Sequence, residues 1–94
     1  MKYGIFTAHE LAFRNQCQEI FDNHPLYAGY RTLPMIQWTK KRIVLQDGTD
    51  IHWINSKEDM KIQLCGLRFN RIYVLDGVTT SDLLEHVYPR FYPL

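Results

Sequence analysis

The sequence predicts a small α/β domain in which a short sheet carries a β-hairpin and packs against two helices. Three observations predict it. Apolar, β-rich runs recur at 3–6, 42–45, 50–54 and 72–75. A helix-period pattern fills the stretch after the first run, and a second short one follows the last. An Asp47-Gly48 pair lies between the second and third runs, as a tight hairpin requires. With 94 residues, 1–94 forms a single domain around one core.

Each element has a local reason. Tyr3-Gly4-Ile5-Phe6 reads as a strand. Thr7-Ala8-His9-Glu10 then has the form of a capping box, and Phe6 and Leu11 have the spacing of a hydrophobic staple. The helix runs to about Asn23. Ala8, Leu11, Ala12, Cys17, Ile20 and Phe21 fall near one face, and Phe13 borders it. His24-Pro25 ends it, because the residue before a proline is pushed out of the helical region. Residues 26–35 read as irregular, with Gly29 and Pro34 as breakers, and 36–38 as a short strand.

In the hairpin, Ile43 and Leu45 share one face, and Ile51 and Trp53 share one face of the returning strand. Residues 55–61 are polar and read as a loop or a short helix. Ile72-Tyr73-Val74-Leu75 reads as a buried strand ending at Asp76. Thr79 or Thr80 caps a final helix through Ser81, Asp82, Leu83, Leu84 and Val87, which Pro89 stops.

Composition narrows the function classes. Apolar residues make up 46% of the chain, which excludes a disordered tail. A formal net charge of +1 provides no global field for nucleic acid or an anionic membrane. No signal peptide or membrane-length apolar run is present. Cys17 and Cys65 have no companion at metal-ligand spacing and read as reduced thiols, which points to a soluble cytoplasmic protein.

The order of the elements resembles the ATPase core of phage terminase large subunits, the motors that package viral DNA. Residues 6–10, with Phe13-Arg14 and Ile20-Phe21, look like the strand-to-helix segment after that family's phosphate-binding helix. Residues 42–54 are similar to its hairpin, and 64–76 to the approach and strand of its Walker B motif, with Asp76 at the strand end. The resemblance implies a fragment of a P-loop ATPase core, beginning roughly where the phosphate loop and its helix would have ended.

The departures carry the functional expectation. No Gly-x-x-x-x-Gly-Lys-Ser/Thr loop is present to hold the β- and γ-phosphates. The family's acidic Walker B residue is followed by a glutamate that activates water; here Gly77 follows Asp76. The family's Leu-Arg-Gly is Leu64-Cys65-Gly66, and an expected acidic position is Asn70. Without a phosphate cradle, Asp76 is a weak Mg²⁺ candidate, because magnesium in such sites takes most of its ligands from phosphate and water. The resemblance thus implies no catalytic residues, metal or cofactor.

His9, His24, His52 and His86 lack ligand spacing. Cys17 falls on the apolar helix face, and no cue supplies a base for Cys65. Lys40, Lys41, Arg42, Arg68 and Arg71, interleaved with Trp53 and other aromatics, form a candidate nucleic-acid or partner surface. The C-terminal Tyr88, Arg90 and Phe91 are candidate interface residues, with folding back over the core as the alternative. The expected function is a non-catalytic, phage-encoded binding protein that regulates or inhibits a larger protein. A small nucleic-acid binder is the alternative, and homodimerisation is expected from the open edges of a partial sheet.

Overall fold

The computed structural model describes residues 1–23, 35–39, 41–45 and 48–93. Along the chain run β1 (Lys2–Thr7), α1 (Glu10–Asp22), β2 (Met35–Thr39), β3 (Arg42–Leu45), β4 (Asp50–Asn55), α2 (Met60–Gln63), β5 (Arg71–Val74) and α3 (Thr80–Asp82). The chain after α3 continues as a wide π-helical turn (Leu83–Val87) and a tight 3₁₀ turn (Tyr88–Arg90). Among the described residues the sheet has the order β2-β3-β4-β1-β5. β1 runs parallel to both neighbours, β4 and β5, whereas β2, β3 and β4 form an antiparallel meander. The expected small α/β domain is what the chain adopts.

The hairpin closes as the Asp-Gly pair predicts. Gly48 takes φ +87°, its N–H donates to the Leu45 carbonyl at 3.0 Å, and the Leu45 N–H donates to the Thr49 carbonyl at 2.9 Å. Asp47 lies outside the described residues, as do His24-Pro25, the irregular stretch up to Pro34, and Lys40.

Both faces of the sheet are covered. Phe13, Cys17, Ile20 and Phe21 recur at helical spacing along α1 and pack on Tyr3, Ile5, Ile43, Leu45 and Ile51. On the opposite face, Phe6 and Ile54 meet Met60 of α2, Leu64 just after it, Phe69, and Val87 of the C-terminal turns. Phe69 is fully buried, edge-on to Phe6, and its main chain is clamped by the C-terminal tail. Its N–H donates to the Arg90 carbonyl and its carbonyl accepts from the Tyr92 N–H, each at 2.7 Å.

Five local expectations are corrected. Thr7 does not cap α1: it is still in β1, and His9 is the N-cap with no side-chain bond. Leu11 is exposed and makes no staple, while Phe13 is at the centre of the apolar face rather than its border. β5 is an edge strand, with Val74 and Leu75 each 40% exposed, because an apolar run alone does not distinguish a central strand from an outer one. Pro89 does not stop the final helix outright; it enters the 3₁₀ turn, where its missing N–H is tolerated. The expected Thr79 cap is present, accepting from the Asp82 N–H at 3.1 Å.

Gly4 shows how tightly the second face is packed. A Cβ there would meet two ring carbons of Phe69 at 3.0 Å and one of Phe6 at 3.1 Å. Gly4→Ala should therefore destabilise the fold by about 1–3 kcal/mol, the usual range for overpacking. Urea denaturation checks the magnitude. Combining it with Phe69→Leu should cost less than the sum of the two single changes, since the clash and the cavity share one space.

Candidate functional site

Adjacent parallel strands β1 and β4 send the chain to opposite faces, into α1 and α2. Such a switch point opens a crevice at the carboxyl ends of the strands, where α/β sheets bind their ligands. Here Thr7 ends β1 and Ala8 follows it, Asn55 ends β4 and Ser56 follows it, and Asp76 and Gly77 come after β5.

Asp76 reaches across to the end of β1. The Thr7 hydroxyl donates to Oδ2 at 2.6 Å and the Ala8 N–H donates to Oδ1 at 2.8 Å. Thr7 Oγ1 also accepts from the His9 N–H at 3.1 Å. The Thr7 carbonyl takes two further donors, Trp53 Nε1 at 2.9 Å and the Ser56 N–H at 3.2 Å. These contacts fix the turn into α1 without a conventional cap. The Thr7 hydroxyl, then the Ala8 amide, and more weakly the charges of His9 and Lys57 hold the Asp76 carboxyl below its ordinary value.

Gly77 closes the far side of the crevice. It sits at φ +71°, and a Cβ would stand 2.3 Å from Ser56 Oγ. Both the backbone conformation and the space oppose any side chain at this position. The glutamate of the resembled motif has no room where Gly77 lies.

A second polar cluster lies on the α2 face near the amino ends of β1 and β4. Arg42 grips Asp50 with a two-pronged contact, Nε to Oδ1 and Nη2 to Oδ2, each at 2.8 Å. His52 stands beside it, its buried Nε2 3.2 Å from Asp50 Oδ1 but without hydrogen-bonding geometry, and its ring meets Phe69 edge-on. Burial would raise the Asp50 carboxyl, yet the Arg42 contact and the neighbouring charges outweigh it and hold it low. Burial pushes His52 down from 6.5, against the pull of Asp50 and with help from Arg42 and Lys2. The hairpin register places Arg42 opposite His52 and Val44 opposite Asp50. That charge pairing follows from the observed register; in the sequence Arg42 reads as part of a binding surface.

Among the described residues, the basic and aromatic residues singled out in the sequence do not assemble into one surface; Lys40 lies outside them. Lys41 pairs with Glu58, and Arg42 with Asp50. Arg71 is opposite Tyr3 in β5 and shares the α1 face, while Arg42 is on the α2 face. Three strand spacings, roughly 14 Å, also separate them. Trp53 stacks on Phe13 at 5.5 Å beneath α1. Arg68 lies over the Tyr92 ring at 5.3 Å. Arg90 donates to the carbonyls of Leu64 and His86 at 2.9 and 2.8 Å, and Phe91 bridges to Phe69. That tail folds back, leaving Tyr88 half-exposed. Asn70 ties the tail to β1: its Oδ1 accepts from the Lys2 N–H at 2.8 Å and its Nδ2 donates to the Tyr92 carbonyl at 3.2 Å.

Burial pushes the Cys17 thiol up to about 12, which leaves it a packing group rather than a nucleophile. Among the described residues, no group of three or more His, Cys, Asp or Glu side chains is placed to hold a metal ion, and no helix is long and apolar enough to cross a membrane. No family model, curated protein or solved structure matches the chain.

Two outcomes follow. Asp76→Ala should lower thermal stability and speed hydrogen exchange at the Ala8 amide, and Asp76→Asn should do so less; exchange monitored by NMR reads both. The second concerns pH. His52 is depressed in the fold, so its contribution is intact above 6.5 and is lost as pH falls below it, when the unfolded chain takes up the proton more readily. His52→Gln should flatten that part of the profile in urea midpoints taken across pH.

Proposed function

We propose that this chain is a non-catalytic, terminase-like binding module of phage origin. It acts in the host cytoplasm, where it regulates or inhibits a larger protein by direct contact. The observation that carries the reading is the state of Asp76, whose two oxygens are engaged within the chain by Thr7 and Ala8. A magnesium-binding carboxylate instead presents oxygen to a cation that shares its sphere with phosphate and water. The packed Gly77 supports the same reading.

A contact function needs apolar groups facing outward. The layer of α2 and the C-terminal turns supplies Ile62, 75% exposed, Leu84, 62% exposed, and Tyr88, 50% exposed. Arg90 and Phe91, by contrast, are engaged within the chain. A nucleic-acid reading gains nothing from the arrangement, because Arg42 and Arg71 face opposite sides of the sheet and Arg90 is bound to carbonyls.

A tagged chain should capture a stoichiometric protein from infected or host lysate. The double change Ile62→Glu and Leu84→Glu should abolish capture while leaving circular dichroism unchanged. Turnover of ATP by the purified chain, lost on Asp76→Ala, would overturn the reading.

A further inference from the structure

Gln16, Glu19 and Ile20 recur at helical spacing and form one stripe along α1. In the sheet, Tyr3 of β1 stands opposite Arg71 of β5, and Tyr73, two residues on, shares their face. Between the stripe and these two strands lies a groove of about 340 Å³, lined by these residues among others. That volume is at the small end of the roughly 300–1,000 Å³ that ligand pockets occupy. The floor of the groove is apolar. Tyr3 and Ile20 are buried, and the Tyr3 and Tyr73 rings lie 6.2 Å apart, tilted by 34°.

The rim carries one charge of each sign, Glu19 on the helix side and Arg71 on the strand side, both exposed. Among the described residues neither charge is in an ion pair, and the Gln16 side-chain amide and the Tyr73 hydroxyl make no hydrogen bond. Burial, and then Tyr3, push the Tyr73 hydroxyl above its usual value; Arg71 pulls against them and Glu19 adds to them, so both charges act on one part of the groove.

That charge layout selects the ligand. A phosphate or a dicarboxylate would set excess negative charge beside Glu19, and a polyamine would set excess positive charge beside Arg71. A molecule with one carboxylate and one ammonium group matches both sides. The guanidinium donates to the carboxylate through its planar fork, and the ammonium donates to the Glu19 carboxylate and the Gln16 side-chain carbonyl. An apolar side chain on that molecule lies against Ile20 and the two tyrosine rings.

We propose that this groove binds a free α-amino acid with an apolar side chain, held between Glu19 and Arg71. A ligand this small binds with a dissociation constant on the order of a millimolar. The proposal goes beyond the contact function above, and the groove lies on the face of the sheet opposite the α2 layer.

NMR titration of the chain with L-phenylalanine and with L-leucine tests it. The expected result is saturable shifts of the Gln16, Glu19, Arg71 and Tyr73 amides with at least one of the two. Blocking the ammonium in N-acetyl-L-phenylalanine, or the carboxylate in L-phenylalaninamide, should weaken binding at least about tenfold, and so should Glu19→Gln and Arg71→Gln, each of which removes a charge-assisted bond. Both positions are exposed, and circular dichroism should be unchanged in both variants. Absence of saturable shifts with both amino acids up to about 20 mM overturns the proposal. So do equal binding of either blocked derivative, undiminished binding in either variant, and shifts that map outside the groove. Any of these outcomes leaves capture through the α2 layer unaffected.

Discussion

A strand with parallel neighbours on both sides must satisfy its backbone along two edges and its side chains on two faces. β1 meets that constraint, and the rest of the sheet depends on it. It pairs with β4 over six residues and with β5 over four. Tyr3 and Ile5 point into the cluster under α1, while Phe6 points into the one under α2, and Gly4 leaves space for the Phe69 ring. The strand bonds contribute little net energy singly. Their role is to keep both clusters in register, since a slip of one residue would turn each side chain to the wrong face.

The end of β1 is where the same constraint becomes chemical. Thr7 is the last strand residue and the first residue of the turn. Its hydroxyl, its carbonyl and the Ala8 amide each have a partner on another strand or beyond it: Asp76 from β5, Trp53 from β4, and Ser56 after β4. In a nucleotide-binding sheet these positions face a ligand. Here the carboxylate of Asp76 fills the role an anion would have at the turn into α1, and it ties the chain after β5 to the end of β1. Gly77 packing on Ser56 continues that closure. A residue that looks like part of a metal site thus acts as a tie between strands.

The C-terminal tail follows the same economy of polar groups. Arg90 satisfies two carbonyls, Asn70 joins β1 to Tyr92, and Phe69 accepts and donates to the tail around a fully buried ring. A chain of this size buries a modest fraction of its surface. Returning the tail to the sheet extends the second cluster without needing another helix.

Much of this was legible from local patterns. The strands, the Gly48 turn, the end of α1 near Asn23 and the Thr79 cap follow from periodicity and turn chemistry, which act over a few residues. The absence of a phosphate loop and of a glutamate after Asp76 was likewise a property of the sequence alone. What it left open depended on partners distant in sequence. Thr7 resembles a cap until Asp76, 69 residues away, takes its hydroxyl. Ile72–Leu75 resembles a central strand until the order of the sheet places it at the edge. Arg42, Arg71 and Arg90 resemble one basic surface until register and packing assign each a separate neighbourhood. Side-chain type and short-range spacing determine which elements form; only the tertiary arrangement determines which polar groups are already satisfied and which remain available to bind.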